Sequence, residues 1–121
     1  MNTKQCYDKL GGDYEDLSGR IPDDALITRF LCGFLKDPSF QTLNEQIECG
    51  NRDEAFCAAY TLKGICANLS LTTLYVSVSA LTEELRTANN VSESAMTLFR
   101  KVRQDYTEIT DVIREYLNRN T

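Results

Sequence analysis

The side chains with the clearest chemistry lie in one stretch, residues 56–71, which reads FCAAYTLKGICANLSL. At about 100° per residue, the thiol of Cys57, the phenol of Tyr60 and the ammonium group of Lys63 lie on or beside one side of a helix. If that side only met water it would be charged, but it is aromatic, small and singly basic. Its members are Phe56, Tyr60, Lys63, Gly64 and Ala67, with Cys57 and Asn68 at its edges. This composition indicates a docking surface.

The other side of the same helix is apolar. Its residues recur at helical spacing and predict a buried stripe. They are Ala55, Ala58, Leu62, Ile65, Cys66 and Leu69. The predicted docking surface therefore lies on a helix whose opposite side is buried in the core.

The stretch resembles the signature helix of the histidine-containing phosphotransfer (HPt) domains of bacterial and plant phosphorelays. That signature reads roughly A-H-T-L-K-G-x-x-x-N-L-G, and the runs 59–64 (AYTLKG) and 68–70 (NLS) follow it closely. In the family, the lysine that matches Lys63 lies beside the phosphohistidine and faces the acidic pocket of a receiver domain. The glycine that matches Gly64 lets the receiver approach. The resemblance covers most of the chain and implies a helical bundle that binds receiver domains of response regulators or hybrid kinases.

Tyr60 stands where the family has its phosphorylated histidine, and the chain contains no histidine at all. A neutral imidazole offers a nucleophilic nitrogen at pH 7, whereas a phenol, with a pKa of about 10, is almost wholly protonated. A phosphoimidazole can also return its phosphoryl group to an aspartate, while an aryl phosphate ester is a much poorer donor. The substitution therefore converts a relay into a dead end. A second departure, Ser70 in place of the usual glycine, is expected to matter little.

Each of these positions also has an ordinary structural interpretation. Gly64 costs about 1 kcal/mol relative to alanine inside a helix, so it could reflect close packing on a neighbouring helix. Lys63 could be a solubilising lysine, and Tyr60 could simply pack against Phe56. However, Gly64 lies on the side of Tyr60, and Lys63 has no carboxylate three or four residues away to pair with. A lone cation on an apolar surface complements an acidic pocket, which favours docking.

The length and charge of the chain indicate how many domains it forms and which classes of partner it binds. With 121 residues, the chain predicts a single domain, 1–121, whose core needs neither metal nor disulfide. Its 13 basic and 18 acidic residues give a net charge of −5, which argues against nucleic acid or an anionic membrane as partner and favours proteins. No apolar run approaches the roughly 18 residues of a membrane helix, and the opening residues lack the pattern of a signal peptide. A cytoplasmic monomer is expected.

Neither catalysis nor metal binding is indicated. The five cysteines are odd in number, widely spaced and without a C-x-x-C pair, so most are predicted to be small buried hydrophobes. Cys57 could instead be exposed and redox-active, although only Lys63 lies nearby to favour a thiolate. The chain offers no histidine for a nucleophile–base pair and no phosphate-binding glycine loop, since Gly11-Gly12 is read as a turn. No enzyme activity, cofactor or metal site is therefore expected.

Helical periodicity runs through the chain, and no stretch alternates with the period of a strand. A short N-terminal helix is predicted at 3–10 and a second short turn at 13–17, ended by Gly19; helices near 23–36, 39–49, 53–69, 72–88 and 92–118 follow. The core is expected to contain Leu62, Leu69, Leu74, Val78, Leu81, Leu98, Val102 and Ile109. Amphipathic helices joined by short turns predict an all-α fold, an antiparallel four-helix bundle with additional short N-terminal helices.

These residues together predict a pseudo-HPt protein of a phosphorelay. It would bind receiver domains as a decoy, adaptor or regulator without relaying phosphate. The alternative is a helical protein-interaction module that is no longer linked to phosphorelay signalling and binds another protein through the same surface.

Overall fold

The computed structural model describes residues 1–119, and all regular secondary structure within them is α-helical. The helices are α1 (Thr3–Leu10), α2 (Tyr14–Arg20), α3 (Asp24–Lys36), α4 (Ser39–Cys49), α5 (Arg52–Asn68), α6 (Thr72–Thr87) and α7 (Glu93–Arg119). The predicted all-α class is confirmed, and from α3 onwards each helix begins and ends within one residue of its predicted bounds. α2 extends to Arg20 rather than stopping at residue 17. Residues 120 and 121 of the predicted domain lie outside the described residues.

The helix ends follow from local capping chemistry. Asn51 precedes α5, and its side chain accepts a hydrogen bond from the backbone N–H of Glu54 (3.2 Å), one of the N–H groups left open at a helix start. Ser92 does the same for α7 by accepting from the N–H of Ala95 (3.1 Å). Gly50 ends α4 in the left-handed conformation, with a φ of 73°, as a glycine after a helix predicts. Gly50 and Asn51 therefore fix the boundary between α4 and α5.

α5 packs against both α4 and α6, and α6 packs in turn against α7. Small residues on the inner side of α5 allow this close approach, because their side chains project little from a helix. The buried residues of α5 are Ala55, Ala58, Ala59, Leu62 and Cys66. Burial raises the pKa of the Cys66 thiol to about 12, so this cysteine behaves as a small hydrophobe. One side of α5 is thus committed to the core, and the opposite side faces solvent.

Most of the predicted core is buried, with one exception. The buried residues are Leu62, Leu69, Leu74, Val78, Leu81, Val102 and Ile109. The prediction is wrong for Leu98, which is only half-buried. Its neighbour Phe99 is 2% exposed and takes the inward position, where its ring stacks on that of Phe40 with 5.8 Å between centres. The larger ring removes more apolar surface from water than the leucine would.

The prediction that most cysteines are buried is also wrong. Cys6 and Cys66 are buried, but Cys32, Cys49 and Cys57 are exposed. The exposed cysteines lie on α3, α4 and α5, outside the buried stripe that sets the rotation of each helix. A cysteine contributes too little apolar surface to change that rotation.

The N-terminal helices cover one end of the core. Tyr7 is buried on α1, and its hydroxyl donates to the carbonyl oxygen of Leu69 (2.8 Å), just beyond α5. The turn at Gly11-Gly12 passes close to the segment that follows α5. A Cβ on Gly12 would lie 2.8 Å from the carbonyl oxygen of Ser70. Only glycine fits at this position. The turn therefore holds the N-terminal helices against the C-terminal end of α5.

The core assignment can be tested on α6. Leu81 is completely buried, whereas Val76, on the same helix, is 62% exposed. Leu81→Ala should lower the free energy of unfolding by about 2–5 kcal/mol, because it removes buried methyl groups and leaves a cavity. Val76→Ala should change it by no more than about 0.5 kcal/mol. Urea unfolding followed by circular dichroism measures both values, and equal effects would contradict this core.

Candidate docking face on helix α5

The structure places all of the predicted docking residues on the outward side of α5. This surface, named here the docking face, consists of Phe56, Cys57, Tyr60, Lys63, Gly64, Ala67 and Asn68. Tyr60 is 56% exposed, Phe56 and Lys63 are half-buried, and the other four residues are exposed. The predicted set is thus brought together on one helix that the core holds in place.

Gly64 lies within the docking face with open space beside it. A Cβ added to this residue would meet no atom within 4 Å beyond the backbone of its own helix. Close packing on a neighbouring helix, the structural alternative, therefore does not explain the glycine. A glycine at this position destabilises the helix by about 1 kcal/mol relative to alanine, and no contact within the fold offsets this loss.

Lys63 precedes Gly64 and forms no ion pair with a carboxylate of residues 1–119. Its Nζ lies 6.0 Å from the centre of the Tyr75 ring on α6. A cation–π contact at such a partly exposed site contributes only about 0.5–1 kcal/mol. The ammonium group can therefore leave the ring at small cost and pair with an acidic group.

An aromatic and cationic cluster forms the N-terminal end of the docking face. The ring centres of Phe56 and Tyr60 lie 6.0 Å apart. The guanidinium groups of Arg52 and Arg86 lie 6.0 and 5.3 Å from the centre of the Phe56 ring, within cation–π range. Both arginines also pair with carboxylates of their own helices, which partly neutralises their charge. Sequence reasoning missed both: Arg52 is recognisable four residues before Phe56, but Arg86 reaches the site from α6.

An apolar groove between α3 and α5 adjoins the docking face at Asn68. Its volume is about 390 Å³, and its apolar lining comes from Ile21, Phe30, Phe34, Ile65 and Leu69. Phe30 is 43% exposed. Ile65, predicted in the buried stripe, is only half-buried because the groove leaves one side of it open. A partner that covers the docking face would find apolar surface to bury beside it.

Helix α2 contacts the C-terminal end of the docking face. Arg20 donates through Nη2 to the carbonyl oxygens of Asn68 (2.8 Å) and Ala67 (3.3 Å). The same nitrogen donates to Oγ of Ser70 (3.0 Å). Asp16 accepts from Nη1 of Arg20 (2.6 Å) and from the hydroxyl of Ser70 (2.6 Å). The group Asp16, Arg20 and Ser70 is named here the clamp, and it was missed in the sequence because its members come from segments far apart in the chain.

Ser70 is not a neutral replacement for glycine. Its φ is 52°, in the left-handed region that favours glycine. Among residues 1–119, it is the only residue other than a glycine with a positive φ. Its hydroxyl makes the two clamp hydrogen bonds, which a glycine could not make. The expectation that this departure matters little therefore overlooked its role at the end of α5.

The docking face presents aromatic, thiol, ammonium and amide groups, which suit contact with a protein surface. No hydrogen-bonded base activates the hydroxyl of Tyr60 among the described residues. In the same part of the chain, no cluster of three or more potential metal-ligating side chains occurs. No helix between residues 1 and 119 has the length and apolar character to span a bilayer.

No protein-family model matches the chain, and no curated protein or solved structure matches it either. The resemblance to HPt domains therefore rests on the sequence motif in residues 59–70 alone.

The clamp predicts a dependence of stability on acid pH. Hydrogen bonds from Ser70 and then Arg20 hold the pKa of the Asp16 carboxyl below its ordinary value, because both favour the charged form. The carboxylate therefore stabilises the fold above its unfolded pKa of about 3.9, and this contribution is lost as the pH falls through the lower folded value. As the pH falls below about 4, the wild type should lose free energy of unfolding more steeply than Asp16→Asn.

Urea unfolding at each pH measures this difference. Ser70→Ala removes the larger of the two causes and should give an intermediate pH dependence. Parallel curves for the wild type and Asp16→Asn would contradict the clamp.

Proposed function

We propose that this protein is a pseudo-HPt protein of a cytoplasmic phosphorelay, in which α4 to α7 form an antiparallel four-helix bundle. Its docking face binds the receiver domains of response regulators or hybrid kinases, and it acts as a decoy, adaptor or regulator rather than as an enzyme. One observation carries the proposal. Beside the exposed Tyr60 lie an ammonium group without a carboxylate partner, Lys63, and a glycine without a packing role, Gly64. These are the positions at which HPt domains meet a receiver.

Charge supports a receiver as the partner. The phosphorylation pocket of a receiver is acidic, and the lone ammonium group of Lys63 complements it. Arg52 and Arg86 add guanidinium groups at the N-terminal end of the docking face, where Asp53 and Glu83 offset part of their charge. The apolar groove at the other end offers surface whose burial supplies affinity. An unpaired ammonium group with an apolar groove nearby thus suits a partner that presents an acidic pocket beside apolar surface.

The side chain of Tyr60 explains why binding proceeds without phosphotransfer. Its position along α5 matches that of the phosphorylated histidine, so its hydroxyl would face the receiver pocket. A phenol at neutral pH is protonated and needs a base to attack phosphorus. The docking face contains no imidazole or other base for this purpose, so the complex is a dead end for the phosphoryl group.

Gly64→Gln tests the docking face. Glutamine favours a helix over glycine, so the variant should fold at least as stably as the wild type, while its side chain fills the open space and blocks close approach. The dissociation constant for a receiver domain that binds the wild type should rise by at least about tenfold. Calorimetry with purified receiver domains from the same cell measures it.

Ala80→Gln is the matched control, because Ala80 is exposed on α6 beside α7 and lies outside the docking face. It should bind as the wild type does. If Gly64→Gln binds every receiver as tightly as the wild type, the docking face lies elsewhere. If no receiver binds the wild type at all, the interaction module outside phosphorelays becomes the better description.

Tyr60→His tests the chemistry of the same position. The wild type should take up no acid-labile phosphate from radiolabelled phospho-receivers, whereas the histidine variant should recover partial labelling. An imidazole at this position would approach the aspartyl phosphate nearly in line, and positioning provides most of the catalysis in phosphoryl transfer.

Tyr60→Phe is the control for this experiment, since it keeps the ring, lacks any nucleophile and should stay unlabelled. Labelling of the wild type would overturn the dead end. A folded histidine variant that stays unlabelled with every receiver would count against a phosphorelay partner.

A further inference from the structure

The clamp joins α2 to the last turn of α5, where the docking face ends. Ala67 and Asn68 belong to the docking face, and their carbonyl oxygens accept hydrogen bonds from Arg20 at 3.3 and 2.8 Å. We infer that Arg20 is a positioning residue of the docking face, which holds the last turn of α5 in the orientation that a partner meets. The consequence for binding rests on the proposed function, whereas the clamp itself can be tested on the free protein.

A helix end needs such a contact because its last carbonyl groups have no N–H donors within the helix. At the end of α5 the chain meets part of this need, since the N–H of Ser70 donates to the carbonyl oxygen of Ala67 (3.2 Å). Within residues 1–119, the carbonyl oxygen of Asn68 accepts its hydrogen bond from Arg20. The guanidinium charge also lies at the negative end of the helix dipole, where a cation is favourable.

Ser70 makes the clamp more than a surface ion pair. Arg20 and Asp16 alone would contribute little, because exposed ion pairs are weak. Ser70, however, is only 5% exposed and holds a left-handed backbone conformation that costs a serine more than a glycine. Its hydroxyl donates to Asp16 and accepts from Arg20. The three side chains therefore fix one another's geometry, and the turn after α5 is fixed with them.

The alternative role for Arg20 is to anchor the N-terminal helices and nothing more. Other contacts already supply that anchor. The buried hydroxyl of Tyr7 donates to the carbonyl oxygen of Leu69 (2.8 Å), and Gly12 packs closely on Ser70. If Arg20 only added to this anchor, its loss would lower the stability of the whole fold evenly. A positioning role predicts instead a local opening at the last turn of α5.

Hydrogen exchange of the free protein, measured amide by amide with NMR, separates the two roles. In Arg20→Ala, the amides of Leu69 and Ser70 should exchange at least about tenfold faster than in the wild type, while the core amide of Leu81 stays within about twofold. Arg20→Lys should recover part of the protection, because one ammonium group cannot reproduce the fork of a guanidinium. Arg114→Ala is the matched control: it removes an exposed arginine paired on its own helix, and should change neither region.

An unchanged rate at Leu69 and Ser70, or an equal acceleration of all amides, overturns the inference. Binding completes the test with a purified receiver domain that binds the wild type and binds Gly64→Gln at least about tenfold more weakly. Arg20→Ala should weaken this binding about tenfold, and Arg20→Lys should weaken it less. An unchanged dissociation constant overturns the positioning role and leaves the proposed function intact. If no receiver binds the wild type, the proposed function fails, and hydrogen exchange alone decides whether the clamp holds the helix end.

Discussion

The packing of α5 against α4 and α6 is the constraint on which the rest of the structure depends. Small inner residues, Ala55, Ala58 and Ala59, let the neighbouring helices come close, and this fixes the rotation of α5 about its axis. Because a helix has 3.6 residues per turn, the same rotation makes Tyr60 and Gly64 face outward. If a partner binds here as proposed, positions fixed in this way would need little ordering, which would lower the entropic cost of association.

The helices and the two sides of α5 could be predicted because the information for them is local. Asn51 and Ser92 cap the helices that follow them, and Gly50 ends the helix before it, each within a few residues of the boundary it sets. The apolar period of α5 likewise lies within the helix itself. The outward placement of the predicted docking residues could be predicted for the same reason, since they are all neighbours on one helix.

The features that the sequence did not reveal depend on contacts between distant segments. Leu98 and Phe99 are adjacent and both apolar, and the position of Phe40 on α4 decides that the ring of Phe99 points inward. Arg86 reaches the docking face from α6, and Arg20 reaches it from α2. Neither arginine differs in local sequence from an ordinary solvated residue, so only the tertiary structure distinguishes them. The surroundings of the candidate site were therefore less predictable than its centre.

The open space beside Gly64 has a consequence for how this position can change over generations. Almost any residue that a mutation introduced there would fit the fold, and most would favour the helix more than glycine does. Selection for stability alone would therefore allow the glycine to be lost. The fold alone thus leaves this position open to change, as it does the equally open Gly33 on α3, and an approaching partner of the proposed kind would add the restraint that the fold lacks.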